Sequence, residues 1–333
     1  MRLVLLLLTV AVATAACRHD QRPIVLSGNV QGSYYSIQYY DAEGRSFEQP
    51  IDSLFQAMDN AVSLWIGNSL LRRVNDNRDS MVSPLFADIL QKSIDMNRYT
   101  DGAFDCRIGR LVQMWGFSFR EQQVLPDDSV ALLLSAARQP VSLTVADNGA
   151  YIVHKHPVTE MDFNAIAQGC MSDMSGEYLL QQGVMNFLVD VGGEVLAHGC
   201  KPDGSAWCVG IERPADNRYN EQEVALAIAL RDLSVVTSGS YRKYYERDGV
   251  RYSHTIDPAT GHPVAHSLLS VSVVDSTAWR ADALATAFMV MGVDSALHFI
   301  ECKEPTLPVL FIYDSAGQQY CKSTPSFDSL ILE

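Results

Sequence analysis

Positive charge is scarce in this chain. Its 333 residues carry 25 Lys and Arg against 39 Asp and Glu, a formal net charge of −14, and no Lys/Arg block interrupts that excess. A field of this sign disfavours non-specific contact with nucleic acid or anionic lipid, so no nucleic acid is expected as a partner. A CxxC pair is also missing, which leaves zinc-ribbon and thioredoxin readings without support. No internal repeat is found, and nothing in the composition suggests disorder. What is present is 47% apolar residues, enough to bury one large core or two modest ones.

The N-terminus reads as a targeting segment. Met1-Arg2 and the apolar run over residues 3–16 form the n-region and h-region of a secretory signal, too short to span a bilayer. The run ends in Thr14-Ala15-Ala16-Cys17, which resembles a bacterial lipobox. Residues 1–16 are therefore expected to be a signal peptide and 17–24 a lipidated Cys17 with a short tether. Residues 25–333 would then be one catalytic unit, lipid-anchored on the periplasmic side of a membrane. Cleavage after Ala16 leaving an unmodified Cys17 is the alternative. Of six further cysteines, Cys200 and Cys208 flank Pro202-Asp203-Gly204, and a local disulfide across this turn is expected.

Along the chain, hairpins and helices alternate. Residues 25–40 suggest an opening strand or hairpin, with Gly28 and Gly32 where backbone must approach a neighbour closely. Ile51, Leu54, Phe55, Met58 and Val62 share one helical face. A second helix opens on Ser83 as N-cap with Pro84 at its first position and stops before Asp101-Gly102. Between them, residues 64–75 read as a loop containing Trp65. Helices are also predicted over 128–137, after Asp162 and over 278–291. Strands are predicted over 141–145, 151–153, 187–191, 194–197, 207–211, 223–230 and 269–274, with residues 294–300 and 309–313 closing the fold. This order predicts an α+β fold with mixed hairpin-rich sheets and packed helices, not a doubly wound sheet.

Two stretches carry chemistry. Residues 241–245 and 250–254 read as a hairpin leading into the rigid turn Asp257-Pro258, Thr260-Gly261, Pro263, which holds an imidazole (His254), a carboxylate (Asp257) and the hydroxyls of Ser253 and Thr260 on stiff backbone. In RADALATA (280–287), Asp282 and Thr286 are four apart and share a helix face. A carboxylate and a hydroxyl are hard oxygen ligands suited to Mg2+ or Ca2+. A glycine- and acid-rich run over residues 100–119, with Phe104, Trp115 and Phe117, suits a pocket wall.

Together the motifs TDGAFD (100–105), RLVQMWGF (110–117), MDFNAIAQG (161–169), FLVDVGGEVLAHG (187–199), SAWCVGIERP (205–214), VVTSGSYRKYY (235–245), HTIDPATGHPV (254–264) and ADALATAFMVMG (281–292) resemble, in order, the bacterial FAD:protein FMN transferases of the ApbE type. The resemblance implies that Asp282, Thr286 and the main-chain carbonyl of Ala165 bind Mg2+. It implies an FAD site formed by Gln31, Trp65, Ala103, Phe104, Asp105, Asp162, Gln168 and Ile256. Many relatives have Tyr where this chain has Trp65, and Glu or Lys where it has Gln168.

The implied reaction is magnesium-dependent transfer of FMN from FAD to a Ser or Thr hydroxyl of an acceptor flavoprotein, releasing AMP. That hydroxyl needs a base; His254 is the candidate, with Asp257 to orient it and Arg242 to offset phosphate charge. Two other readings stay open at this point: an FAD pyrophosphatase releasing FMN and AMP, and a non-enzymatic FAD-binding lipoprotein.

Overall fold

A computed structural model describes residues 22–117, 126–214, 223–240, 244–247 and 250–332. The signal segment, Cys17 and Arg242 lie outside the described residues. The chain opens with the hairpin β1 (Ile24–Val30) and β2 (Ser33–Tyr39), then α1 (Glu48–Val62), α2 (Leu70–Asn75), β3 (Met81–Val82), α3 (Pro84–Tyr99), α4 (Gly109–Met114) and α5 (Asp127–Ala137). The hairpin β4 (Ser142–Val145) and β5 (Tyr151–His154) precedes α6 (Ala167–Gln181), β6 (Phe187–Val191), β7 (Glu194–His198), β8 (Trp207–Glu212), β9 (Val224–Leu230) and β10 (Leu233–Gly239). Then come β11 (Tyr244–Arg247), β12 (Val250–Ser253), β13 (Leu268–Asp275), α7 (Ala278–Lys303), β14 (Val309–Ser315), β15 (Gln318–Ser323) and α8 (Pro325–Asp328).

Eight strands form one antiparallel sheet in the order β1-β2-β6-β7-β10-β13-β14-β15. Both faces of its centre are buried, and the period-2 alternation of a strand sorts neighbours onto opposite sides. Val236, Val273 and Phe311 join the large core beneath α1, α3, α6 and α7, whereas Val235, Val274, Leu310 and Ile312 join a second core capped by Trp207, Ile228 and Phe327. This explains the nearly unbroken apolar runs of β13 and β14. The α+β expectation is met, with antiparallel pairing and helices packed on the sheet.

Local chemistry sets the element ends. Ser83 caps α3 by accepting from Phe86 N–H, with Pro84 just inside, as expected. Residues 70–75, read above as loop, are instead the helix α2, capped by Ser69 accepting from Arg72 N–H; six residues are too short for periodicity to register. The helix expected over 278–291 runs on to Lys303 as α7, with a break at Gly292, whose φ of 75° is left-handed. His266 Nε2 meets the Met289 carbonyl at 2.7 Å beside the break. By length and composition α7 could cross a membrane, but most of its first half is buried in the core. Cys200 and Cys208 are free, so the disulfide expected there is absent; hydrogen bonds close the turn instead, from Lys201 N–H to the Ser205 carbonyl and from Gly204 N–H to that of Lys201.

Candidate functional site

A cavity of about 1230 Å³ opens between the β1–β2 turn, the loop after α1, the entry to α6, the end of β10 and the first turns of α7. Its lining includes Gln31, Trp65, Ala103, Phe104, Asp105, Asp162, Ala165, Gln168, His254, Ile256, Asp282 and Thr286. These residues, from six separate stretches of sequence, are thus brought to one space. Asp257 is not among the lining residues.

The α6–α7 contact shapes the cavity floor. Gly169 packs so tightly on α7 that a Cβ there would stand 2.5 Å from the Ala278 carbonyl oxygen. Gly169 lies in the first turn of α6, where a backbone N–H has no intrahelical partner, and it donates to Asp282 Oδ2 at 3.2 Å; among the described residues no backbone N–H donates to the Ala165 carbonyl. Asp282 is 4% exposed, and burial, with the nearby Asp173 carboxylate adding to it, pushes its acid up to about 7 against the pull of this single hydrogen bond. Thr286, one turn on, is 3.5 Å from Ser238 Oγ on β10. A buried carboxylate without a cationic partner, a hydroxyl and a main-chain carbonyl just ahead of a helix are donors of the kind that fit a hard divalent cation. Among the described residues no group of three or more His, Cys, Asp or Glu could hold a metal.

Asp173 holds α7 in place. Its two oxygens accept from Ala278 N–H at 2.8 Å and Trp279 N–H at 2.9 Å, capping the helix from a neighbouring element because Thr277 makes no side-chain cap. Burial pushes this carboxyl up to about 6 against the pull of those two bonds. Asn75, at the end of α2 and buried, clamps Met161 by accepting from its N–H and donating to its carbonyl, both at 2.8 Å. Asp162 follows directly, its own N–H bonded to the Cys106 carbonyl.

The turn after His254 is held from three sides. Ile256 is buried in a small core with Leu111, Val130 and Leu134, Trp115 Nε1 donates to the Gly261 carbonyl at 2.8 Å, and Arg138 donates to that of Ala259 at 3.0 Å. Asp257 spends both carboxylate oxygens inside the turn, accepting from Ala259 N–H and Thr260 Oγ1. The geometry therefore gives Asp257 the task of shaping the turn, in place of the expected contact with His254. The His254 ring stands edge-on to Phe117, with centroids 6.3 Å apart.

Other residues sit differently from their simplest reading. Asp105 pairs with Arg107, accepting from its backbone N–H, Nε and Nη2, so its carboxylate is engaged at the cavity edge. The Gln168 side chain lies over Gly192, where a Cβ would meet Nε2 at 2.2 Å, an approach that glycine permits. Gly28 is likewise covered by the Tyr35 ring of its own hairpin, not by a ligand. Asp59, Asp190, Glu194 and Glu212 were not singled out in the sequence, yet they line the cavity with Asp105, Asp162 and Asp282. Among its described lining residues there is no Lys or Arg.

Comparison with known proteins agrees with this architecture. The FAD:protein FMN transferase of Vibrio cholerae is 33% identical over 93% of this chain and 94% of its own length, and that of Escherichia coli K12 is 32% identical over 94% and 91%. The solved flavin transferase ApbE of Vibrio cholerae superposes with a TM-score of 0.80 at 30% identity, covering 93% of this chain and 99% of that one. The apo flavinyl transferase ApbE of Pseudomonas stutzeri gives 0.81 at 29% identity, covering 93% and 97%. The ApbE family model matches residues 31–311, and the chain belongs to the ApbE family.

Proposed function

We propose that this protein transfers FMN from FAD to a Ser or Thr hydroxyl of an acceptor protein in a magnesium-dependent reaction that releases AMP. Family membership supports FMN transfer from FAD; the resemblance supplies the metal ligands and the FAD-lining residues, and AMP is what FAD leaves once FMN is transferred. The observation that carries the metal is the donor set at the α6–α7 contact: the buried Asp282 carboxylate, the Thr286 hydroxyl and the Ala165 carbonyl line one cavity, a set suited to a hard divalent cation. Asp282, Thr286 and the Ala165 carbonyl are the donors to hold that cation, and Mg2+ bound there supplies the charge that offsets what develops on the FAD phosphates.

The remaining work falls to the chain's own side chains. Gln31, Trp65, Ala103, Phe104, Asp162, Gln168 and Ile256 bound the space for FAD, with Trp65, 62% exposed, offering a stacking face at the mouth. The acceptor oxygen attacks the phosphorus on the FMN side of the pyrophosphate. The bond from that phosphorus to the bridging oxygen breaks, and AMP departs with that oxygen. The acceptor proton goes to His254, which a rigid turn holds at the cavity wall. Arg242, on the same hairpin in sequence, is assigned to phosphate charge.

The signal-like segment and the lipobox-like Thr14-Ala15-Ala16-Cys17 support a catalytic unit on the periplasmic side of a membrane, anchored through a lipid on Cys17, where acceptor subunits with exposed Ser or Thr segments would be met. Incubating the protein with FAD, MgCl2 and an acceptor, then reading flavin fluorescence on the denatured acceptor, tests the function. Covalent flavin that disappears when the acceptor Thr is replaced by Ala is the expected result; free FMN with an unlabelled acceptor would instead establish the pyrophosphatase reading.

A further inference from the structure

The β1–β2 turn presents an unusual residue to the cavity. Gln31 and Gly32 connect the paired residues Val30 and Ser33, with φ of 49° and 73°. A two-residue hairpin turn with both φ values positive favours Asn-Gly or Gly-Gly, because a longer side chain crowds the backbone in the left-handed region. Gln31 occupies the first position nonetheless. Strain of this kind persists where surrounding structure fixes it and tends to mark ligand sites.

What fixes it is Asp59. On α1, Asp59 Oδ1 accepts from Gln31 Nε2 at 3.0 Å, and both residues line the cavity. A carboxylate oxygen accepts, so the amino end of the amide must face Asp59 and its carbonyl end must face away. We propose that Asp59 is a positioning residue which, through this bond, holds Gln31 Oε1 toward the cavity as an acceptor for an N–H or O–H donor of the bound flavin dinucleotide. The proposal rests on the FAD reading above. With Asp59 gone, the Gln31 amide rotates freely and the acceptor is no longer pre-aimed.

The test is an affinity cycle. The dissociation constant for FAD is measured by flavin fluorescence at fixed MgCl2 for the parent, Asp59→Ala, Gln31→Ala, the double variant and Asp59→Asn. Asp59→Ala should weaken binding by about 3- to 10-fold, the range of one hydrogen bond. The double variant should bind no worse than Gln31→Ala, and Asp59→Asn, which keeps an oxygen acceptor, should recover most of the parent affinity with melting temperatures similar throughout. An equal loss from Asp59→Ala in both backgrounds, an Asn variant as weak as the Ala variant, or no loss at all would overturn the proposal. A parent that binds FAD but transfers no FMN would defeat only the catalytic reading, because the cycle reads binding; a parent that does not bind FAD would defeat both.

Discussion

Gly169 N–H donates to Asp282 Oδ2 at 3.2 Å, tying the first turn of α6 to the second turn of α7. This hydrogen bond fixes the carboxylate assigned to the metal, and the close contact around it exists because glycine lets the helices meet. Gly169→Ala puts a methyl 2.5 Å from the Ala278 oxygen and 2.7 Å from Trp279 Cα, both backbone atoms that cannot swing aside. The helices must separate, at a cost of about 1–3 kcal/mol in stability. A lowered melting temperature together with weakened magnesium dependence of transfer is the expected outcome, and a variant with parent magnesium response would break the link between this contact and the metal.

Asp282→Asn separates the metal from the fold. In the absence of metal, a buried carboxylate with one hydrogen bond opposes folding, so the variant with EDTA should melt no lower than the parent. Added MgCl2 should raise the melting temperature of the parent and leave the variant unmoved, with AMP release reduced by at least about 100-fold, since the lost charge is worth several kcal/mol. Calorimetric melting with and without MgCl2 reads both effects.

Asp173 predicts a pH dependence. Its folded acid is raised to about 6, above the ordinary carboxylate range, so between about pH 4 and 6 the folded state holds more proton than the unfolded one. Its contribution is therefore fully present below about pH 4 and is lost as pH rises through 6. Asp173→Asn keeps one acceptor for the α7 cap and cannot titrate. Urea unfolding with EDTA should show the stability gap between parent and variant narrowing from pH 4 to 6.5; a gap that widens would contradict the assignment.

His254→Ala should retain FAD affinity and melting temperature while losing transfer by about 100- to 10,000-fold, the usual contribution of a positioned base. If the histidine only closes the turn, affinity and melting temperature should fall first. Trp115, Arg138 and Asp257 already hold the turn without the imidazole, which is why the fold is expected to survive.

Much of this fold was legible because burial writes a period into the sequence. The face of α1 and the Ser83-Pro84 start of α3 are local signals, and the strands β6, β7, β13 and β14 announce themselves as apolar runs between turn formers. Tertiary roles left no such mark. Asp173 and Asn75 read as ordinary polar residues, yet each satisfies backbone groups more than 80 residues away. Asp257 looked like a partner for His254, but an aspartate before proline in a tight turn finds its own backbone first. Cys200 and Cys208 flank a plausible turn; flanking in sequence does not aim two sulfurs at each other.

The account's central claim is that the pyrophosphate of FAD is opened by a protein hydroxyl with AMP as leaving group. Its most direct test is to quantify, in one reaction with FAD, MgCl2 and a Thr-bearing acceptor, the AMP released and the FMN covalently retained on denatured acceptor. The account predicts one AMP for each bound FMN, with both products suppressed by EDTA. AMP accompanied by an equal amount of free FMN, or covalent flavin formed without AMP, would contradict it.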